Sequence, residues 1–81
     1  MEFQKAYRLD GERLDEFIIL LGENGFFYEG GLGQIRFEEK DVTAGRILDT
    51  SPRYLIVNPP HPKSKVQRDV VSQLVELAKS F

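Results

Sequence analysis

Basic residues gather where the chain is expected to begin its last helix. They are Arg53, His61, Lys63, Lys65 and Arg68, with Ser64 among them as the predicted N-cap. The free amides and the dipole of a helix N-terminus favour anions. The cluster therefore predicts a site for phosphate, a nucleic-acid backbone or an acidic partner surface, which Arg53 joins only if the preceding strand ends nearby. The alternative is a solvated loop, although basic residues at a helix start slightly destabilise the helix.

A second candidate is the aromatic run Phe26-Phe27-Tyr28, which is predicted to lie in a short strand. Successive side chains of a strand point to opposite faces, so the three residues cannot all face one core. Either Phe27 or its two neighbours must point outward. An exposed aromatic residue on an edge strand is a typical contact for a partner or a second copy. The alternative is that a helix or the N-terminal segment covers it.

The segment Leu55-Ile56-Val57-Asn58-Pro59-Pro60-His61 resembles the catalytic loop of amino-methyltransferases that modify adenine or glutamine. The resemblance implies that the Asn58 side chain accepts a hydrogen bond from the target amine and that His61 packs on the substrate. The Gly-rich cofactor loop of that family is missing, and 81 residues cannot form its large parallel sheet. We therefore interpret the prolines as the end of a strand, because a motif depends on its structural context.

Two further patterns carry no recognisable catalytic chemistry. Gly30-Gly31-Leu32-Gly33 precedes an alternating, strand-like segment, so we interpret it as a hairpin turn rather than a phosphate loop. His61 is the only histidine and the chain has no cysteine, so we expect no metal site and no cofactor. We find no nucleophile with a matching base and orienting group, and no catalytic residue is assigned.

Apolar periodicity predicts two helices that would carry these sites. In the first, Asp10 is the candidate N-cap, and Leu14, Phe17, Ile18 and Leu21 fall at helical spacing on one face. Gly22 and Asn24-Gly25 offer the backbone positions that end it. The second begins at Ser64-Lys65-Val66-Gln67, which matches a capping box. Its broad apolar face is Val66, Val70, Leu74, Leu77, Ala78 and Phe81, flanked by Val71 and Val75.

Short strand-like segments lie between the helices. They are Phe26 to Glu29, Gln34 to Glu38, Arg46 to Leu48 and Tyr54 to Val57, and Phe3 to Leu9 is a candidate for one more. Tyr54 to Val57 is apolar without a break and is placed centrally, ended by the prolines that follow. Short connections require antiparallel pairing. Residues 1–81 are thus predicted to form a single small two-layer α+β domain, an antiparallel meander sheet of four to five strands with both helices on one face.

Composition narrows the function further. Apolar residues make up 41% of the chain, charged residues 30%, and the formal net charge is −2, which disfavours a general nucleic-acid binder. Residues 1–40 carry a net charge of −4 and residues 41–81 a net charge of +2. No signal peptide or membrane-spanning run is recognised, so we expect a cytoplasmic protein without membrane contact.

The hypothesis that these observations favour is a non-catalytic interaction module. It would bind a protein partner, or itself as a homodimer, through a sheet edge and the patch Phe26, Phe27 and Tyr28. The alternative, from another class, is binding of nucleic acid or another anionic ligand at the basic helix start. A small enzyme is a third hypothesis, without a residue pattern to support it.

Overall fold

The computed structural model describes residues 5–50 and 52–81, which form one sheet and two helices. In chain order the elements are β1 (Lys5–Arg8), α1 (Glu12–Glu23), β2 (Phe26–Glu29), β3 (Gln34–Phe37), β4 (Val42–Leu48), β5 (Tyr54–Val57) and α2 (Lys65–Ser80). Phe3 and Gln4, the start of the predicted first strand, and Ser51, between two predicted strands, lie outside the described residues.

The five strands lie in the order β1-β5-β4-β3-β2, and every neighbouring pair is antiparallel. β2 to β5 form the predicted meander, and β1 adds to its far side by pairing with β5. Both helices pack on the same core, so the predicted two-layer α+β class is confirmed. β5 is an interior strand, as its unbroken apolar sequence predicted, although the middle position belongs to β4.

β4 is longer than predicted because it begins at Val42 and contains a bulge. The pairing with β3 passes from Ile35↔Gly45 to Arg36↔Thr43, which leaves Ala44 without an opposite residue. Ala44 is nevertheless fully buried. The bulge breaks the strict alternation of polar and apolar residues, which is why the sequence predicted no strand before Arg46.

The start of α1 differs from the prediction. The N-cap is Gly11, at φ 53°, and it provides no side chain to cap the helix. The carboxylate of Asp10, the predicted cap, accepts a hydrogen bond from Nε of Arg8 at 2.5 Å instead. The expectation for Asp10 was therefore wrong, because its side chain is engaged by the preceding strand. Phe17 and Leu21 are buried as predicted.

The predicted cap of α2 is confirmed at Ser64, whose Oγ accepts a hydrogen bond from the amide of Gln67 at 3.2 Å. The reciprocal bond differs, because Oε1 of Gln67 accepts from the amide of His61 at 2.8 Å rather than from that of Ser64. The apolar face is buried at Val70, Val71, Leu74 and Val75. Val66, predicted on that face, is 44% exposed because the helix begins beyond the edge of the core.

One core lies between the sheet and the helices. It includes Leu9 and Phe26 at the two ends of the sheet's inner face and Leu74 from α2. The two helices meet where the rings of Phe17 and Phe81 lie 5.3 Å apart. Within the described residues, neither helix is long and apolar enough to cross a membrane.

Candidate interaction surface

The face of the sheet turned away from the helices has no layer of described residues packed over it. One row of side chains crosses all five strands on this outer face, because residues paired across antiparallel strands share a face. The row is Glu29, Gln34, Arg46, Ile56 and Ala6. Arg46 and Ala6 are exposed, and the other three are half-buried. We call this the outer face; it also holds Phe27 and Arg36, which pair with each other.

The three predicted aromatic contact residues do not form one exposed patch. Phe26 is 3% exposed and packs its ring 5.1 Å from that of Phe37. Tyr28 is half-buried and packs against the core. Phe27 lies on the outer face and is 48% exposed. The alternation argument is thus resolved in favour of Phe27 as the single outward aromatic residue of β2.

β2 is an edge strand, yet it offers little backbone to an added strand. The amide of Glu38 donates to the carbonyl of Gly25 at 3.1 Å. Bonding alternates along an antiparallel pair, so the backbone groups of Phe26 and Tyr28 point to the free edge. Phe26 is almost wholly buried, which leaves mainly Tyr28 accessible. This geometry favours contact through side chains of the outer face over strand addition at β2.

The charges of the outer face are unevenly neutralised. Arg8 pairs with Asp10. Arg36 pairs with Asp41 and lies 4.0 Å from a carboxylate oxygen of Glu29. Arg46, on the middle strand, forms no ion pair with any described residue. It is therefore the basic group of this face that is open to a carboxylate from elsewhere.

A shallow depression of about 320 Å³ adjoins Phe27 at the edge of the outer face. It is lined by Phe27, Arg36, Phe37, Glu38 and Asp41. The exposed ring of Phe27 can pack against an apolar side chain of a partner. The guanidinium of Arg36, which is paired with Asp41, forms part of the polar rim around that contact. None of the lining residues is fully buried.

The basic residues at the start of α2 surround a helix end whose amides are only partly occupied. Ser64 covers the amide of Gln67, and the amide of Lys63 donates to Nδ1 of His61 at 3.1 Å. The amide of Arg68 bonds to the carbonyl of Ser64 as the first full helical bond. The amides of Lys65 and Val66, the first two of the helix, donate to no acceptor among the described residues, so they are open to an anion.

Of the basic side chains at the start of α2, one is ion-paired within the described residues and the others are not. Nζ of Lys65 lies 2.9 Å from a carboxylate oxygen of Asp69. His61, Lys63 and Arg68 are exposed and make no ion pair with described residues. Arg53 does not join them: it precedes β5 whereas His61 follows it, and four residues of strand separate the two ends by about 13 Å. Arg53 pairs with Asp49 instead, at 3.3 Å.

The remaining motifs have structural roles. Gly33, at φ +71°, closes the β2–β3 turn, and its carbonyl accepts from the amide of Ile47 at 2.8 Å, as expected of a hairpin rather than a phosphate loop. The Asn58 side chain donates to the carbonyl of Thr43 at 3.2 Å, which extends the β4–β5 pairing. No group of three potential metal ligands occurs among the described residues.

Two features of the surface were not predicted. The sequence predicts Arg46 only as part of a strand, and no local pattern indicates that this strand is the middle one of an open sheet. Ile19 is 64% exposed on α1 although it lies in an apolar run. The helical period predicts this exposure, because Ile19 is two positions from the buried Phe17 and so points away from the core.

Comparisons with known protein families, with curated proteins and with solved structures found no match for this chain.

Proposed function

We propose that this protein is a non-catalytic interaction module that binds a protein partner, or a second copy of itself, through the outer face of its sheet around Phe27. The observation that carries the proposal is the half-exposed ring of Phe27 on a face where Arg46 has no ion-pair partner among the described residues. Phenylalanine and arginine are both enriched in protein interfaces relative to the rest of the surface. The half-buried Ile56 lies directly beside Arg46 and adds apolar area.

A protein partner suits this face better than nucleic acid. Arg8 and Arg36 are engaged by carboxylates, so a phosphate backbone would meet few free cations. The formal net charge of −2 opposes long-range attraction of a polyanion. Binding of a protein partner requires fewer free cations. An apolar side chain packed on Phe27 and one carboxylate paired with Arg46 would complement the groups that the outer face exposes.

The test is the substitution Phe27→Ser, read as mass in solution and as binding of co-purifying proteins to the immobilised chain. Phe27 is only half-buried, so the variant should keep the fold, checked by circular dichroism, while losing self-association or its bound protein. Val66→Ser is the matched control, because Val66 has similar exposure and lies on α2. Unchanged assembly and unchanged binding in the folded Phe27→Ser variant would contradict the proposal.

The alternative proposal is binding of an anionic ligand at the start of α2. It is supported by the exposure of His61, Lys63 and Arg68, which have no acidic partner among the described residues. It is weakened by the Lys65–Asp69 ion pair, which neutralises one of the bases. A titration with single-stranded nucleic acid and with inorganic phosphate at low salt separates it from the main proposal, because neither probe uses Phe27.

A further inference from the structure

The outward side of α1 is an acidic surface with one apolar residue at its centre. Ile19 is 64% exposed. Residues three, four and seven positions away lie on the same side of a helix. At those spacings stand Glu12, Asp15, Glu16 and Glu23, all exposed. We call this surface, Ile19 with its four acids, the α1 face.

Helix energetics explain only part of this arrangement. Glu12 and Asp15 lie in the first turn, where the helix dipole favours negative charge. Glu23 lies at the opposite end, where the dipole disfavours it, and the last turn carries no base. Glu16 follows Glu12 by four positions, and like charges at this spacing repel. The acids at positions 16 and 23 thus slightly destabilise the isolated chain.

The one base of α1 does not neutralise this face. Arg13 is turned toward the end of α2, where Nη2 donates to the carbonyl of Phe81 at 2.9 Å. Its guanidinium carbon lies 4.5 Å from the centroid of the Phe81 ring. None of the four acids forms an ion pair within the part of the chain that the structure describes.

We infer that the α1 face of one copy docks on the outer face of the next copy. The two surfaces are complementary in the features that are left unsatisfied: exposed carboxylates around Ile19 on one, and Arg46 with the exposed ring of Phe27 on the other. In this contact Ile19 packs against the apolar part of the outer face and a carboxylate of α1 reaches Arg46. The inference rests on the proposed function, because it assigns an occupant to the same outer face.

The contact is front to back, so a pair of copies still has the outer face of one copy and the α1 face of the other free. A repeated heterologous contact forms a ring if its rotation closes and an open chain if it does not. The average mass of the wild-type assembly should therefore rise with protein concentration beyond that of a dimer, because a front-to-back contact is not completed by two copies. Added salt should weaken the assembly, because exposed charge pairs are screened.

A complementation experiment tests the orientation directly. Arg46→Ala disables the outer face, and a double variant Glu16→Lys with Glu23→Lys disables the α1 face. Alanine is used at position 46 because a charge reversal there would attract the new lysines and create a second contact in the mixture. Each variant alone should be monomeric by sedimentation or light scattering, with association weakened more than about tenfold. An equimolar mixture should form a discrete dimer and nothing larger, because each partner supplies one intact surface. Lys79→Glu, an exposed charge reversal on α2, is the control that should assemble like the wild type.

The outcomes separate the inference from the proposed function. A wild-type chain that stays monomeric at low salt and high concentration, or a mixture that does not pair, overturns the front-to-back contact. A dimer that Phe27→Ser abolishes and the α1 double variant leaves intact also overturns it, while supporting the proposed function with a symmetric partner. If a variant fails to fold, the wild type is diluted instead, and its chemical shifts are followed by nuclear magnetic resonance. Shifts confined to one of the two faces then contradict the inference, and shifts on both support it.

Discussion

The guanidinium of Arg13 lies over the ring of Phe81, with 4.5 Å between the guanidinium carbon and the ring centroid. The same side chain donates to the carbonyl of Phe81 at 2.9 Å, across 68 positions of sequence. The Phe81 ring in turn lies 5.3 Å from the ring of Phe17, which is fully buried. One stacked arrangement therefore joins the first turn of α1 to the end of α2.

Arg13→Ala should lower the free energy of unfolding by roughly 1 kcal/mol, because an exposed cation–π contact and one charged hydrogen bond are both lost. Chemical denaturation with a fluorescence or circular-dichroism readout measures the change. Arg68→Ala, at an exposed base without an ion pair among the described residues, should change stability by less than about 0.5 kcal/mol. Equal effects of the two substitutions would show that the stack contributes nothing.

Gly45→Ala should destabilise the protein by about 1–3 kcal/mol, because its new methyl group overpacks the core. A Cβ at this position would lie 2.7 Å from the carbonyl oxygen of Ile56 and 3.1 Å from Cδ2 of Leu74. The backbone oxygen cannot rotate away as a side chain can, so β4 and β5 would have to separate. Thermal unfolding reports the loss.

Gly22→Ala is the opposite case and should stabilise the protein by roughly 0.5–1 kcal/mol, since alanine is the better helix former. Nothing lies within 4 Å of a Cβ built at Gly22, and its φ is ordinary for a helix. The same thermal experiment compares both glycines. A loss of stability at Gly22 would contradict the description of this side of α1 as open.

Ser64→Ala should cost about 1 kcal/mol of stability, because the amide of Gln67 then loses its acceptor at the N-terminus of α2. Ser72→Ala, at an exposed position within the same helix, is the matched control and should be neutral or slightly stabilising. Hydrogen exchange of the first turn of α2 provides a local readout. Protection there that is unaffected by Ser64→Ala would rule out the cap as the cause.

The combined substitution Lys63→Ala, Lys65→Ala and Arg68→Ala tests the alternative function. If the start of α2 binds an anion, single-stranded nucleic acid or phosphate should bind at low salt, weaken as salt rises, and lose affinity in the triple variant. The cap at Ser64 is left in place, so the fold should persist. Absence of binding at low salt, or binding that the triple variant retains, argues against this site.

Much of the fold was predictable because it rests on local physics. The helical period of α2 placed its core residues, and the hydroxyl of Ser64 marked its start. Alternation required one member of Phe26-Phe27-Tyr28 to point away from its neighbours, which is what the structure shows. The prediction failed at Asp10, where a neighbouring arginine competes for the carboxylate, and at Val66, where the helix extends past the core.

The sequence by itself determined which segments become helices and strands, since periodicity, capping and proline act over a few residues. Only the tertiary structure decided that β1 pairs with β5, and so which five side chains share the row through Arg46. It also decided that Arg13 turns to Phe81 and leaves the acids of α1 without a base among the described residues. These relationships join residues that are far apart in the chain, and local preferences carry no information about which distant segments will meet.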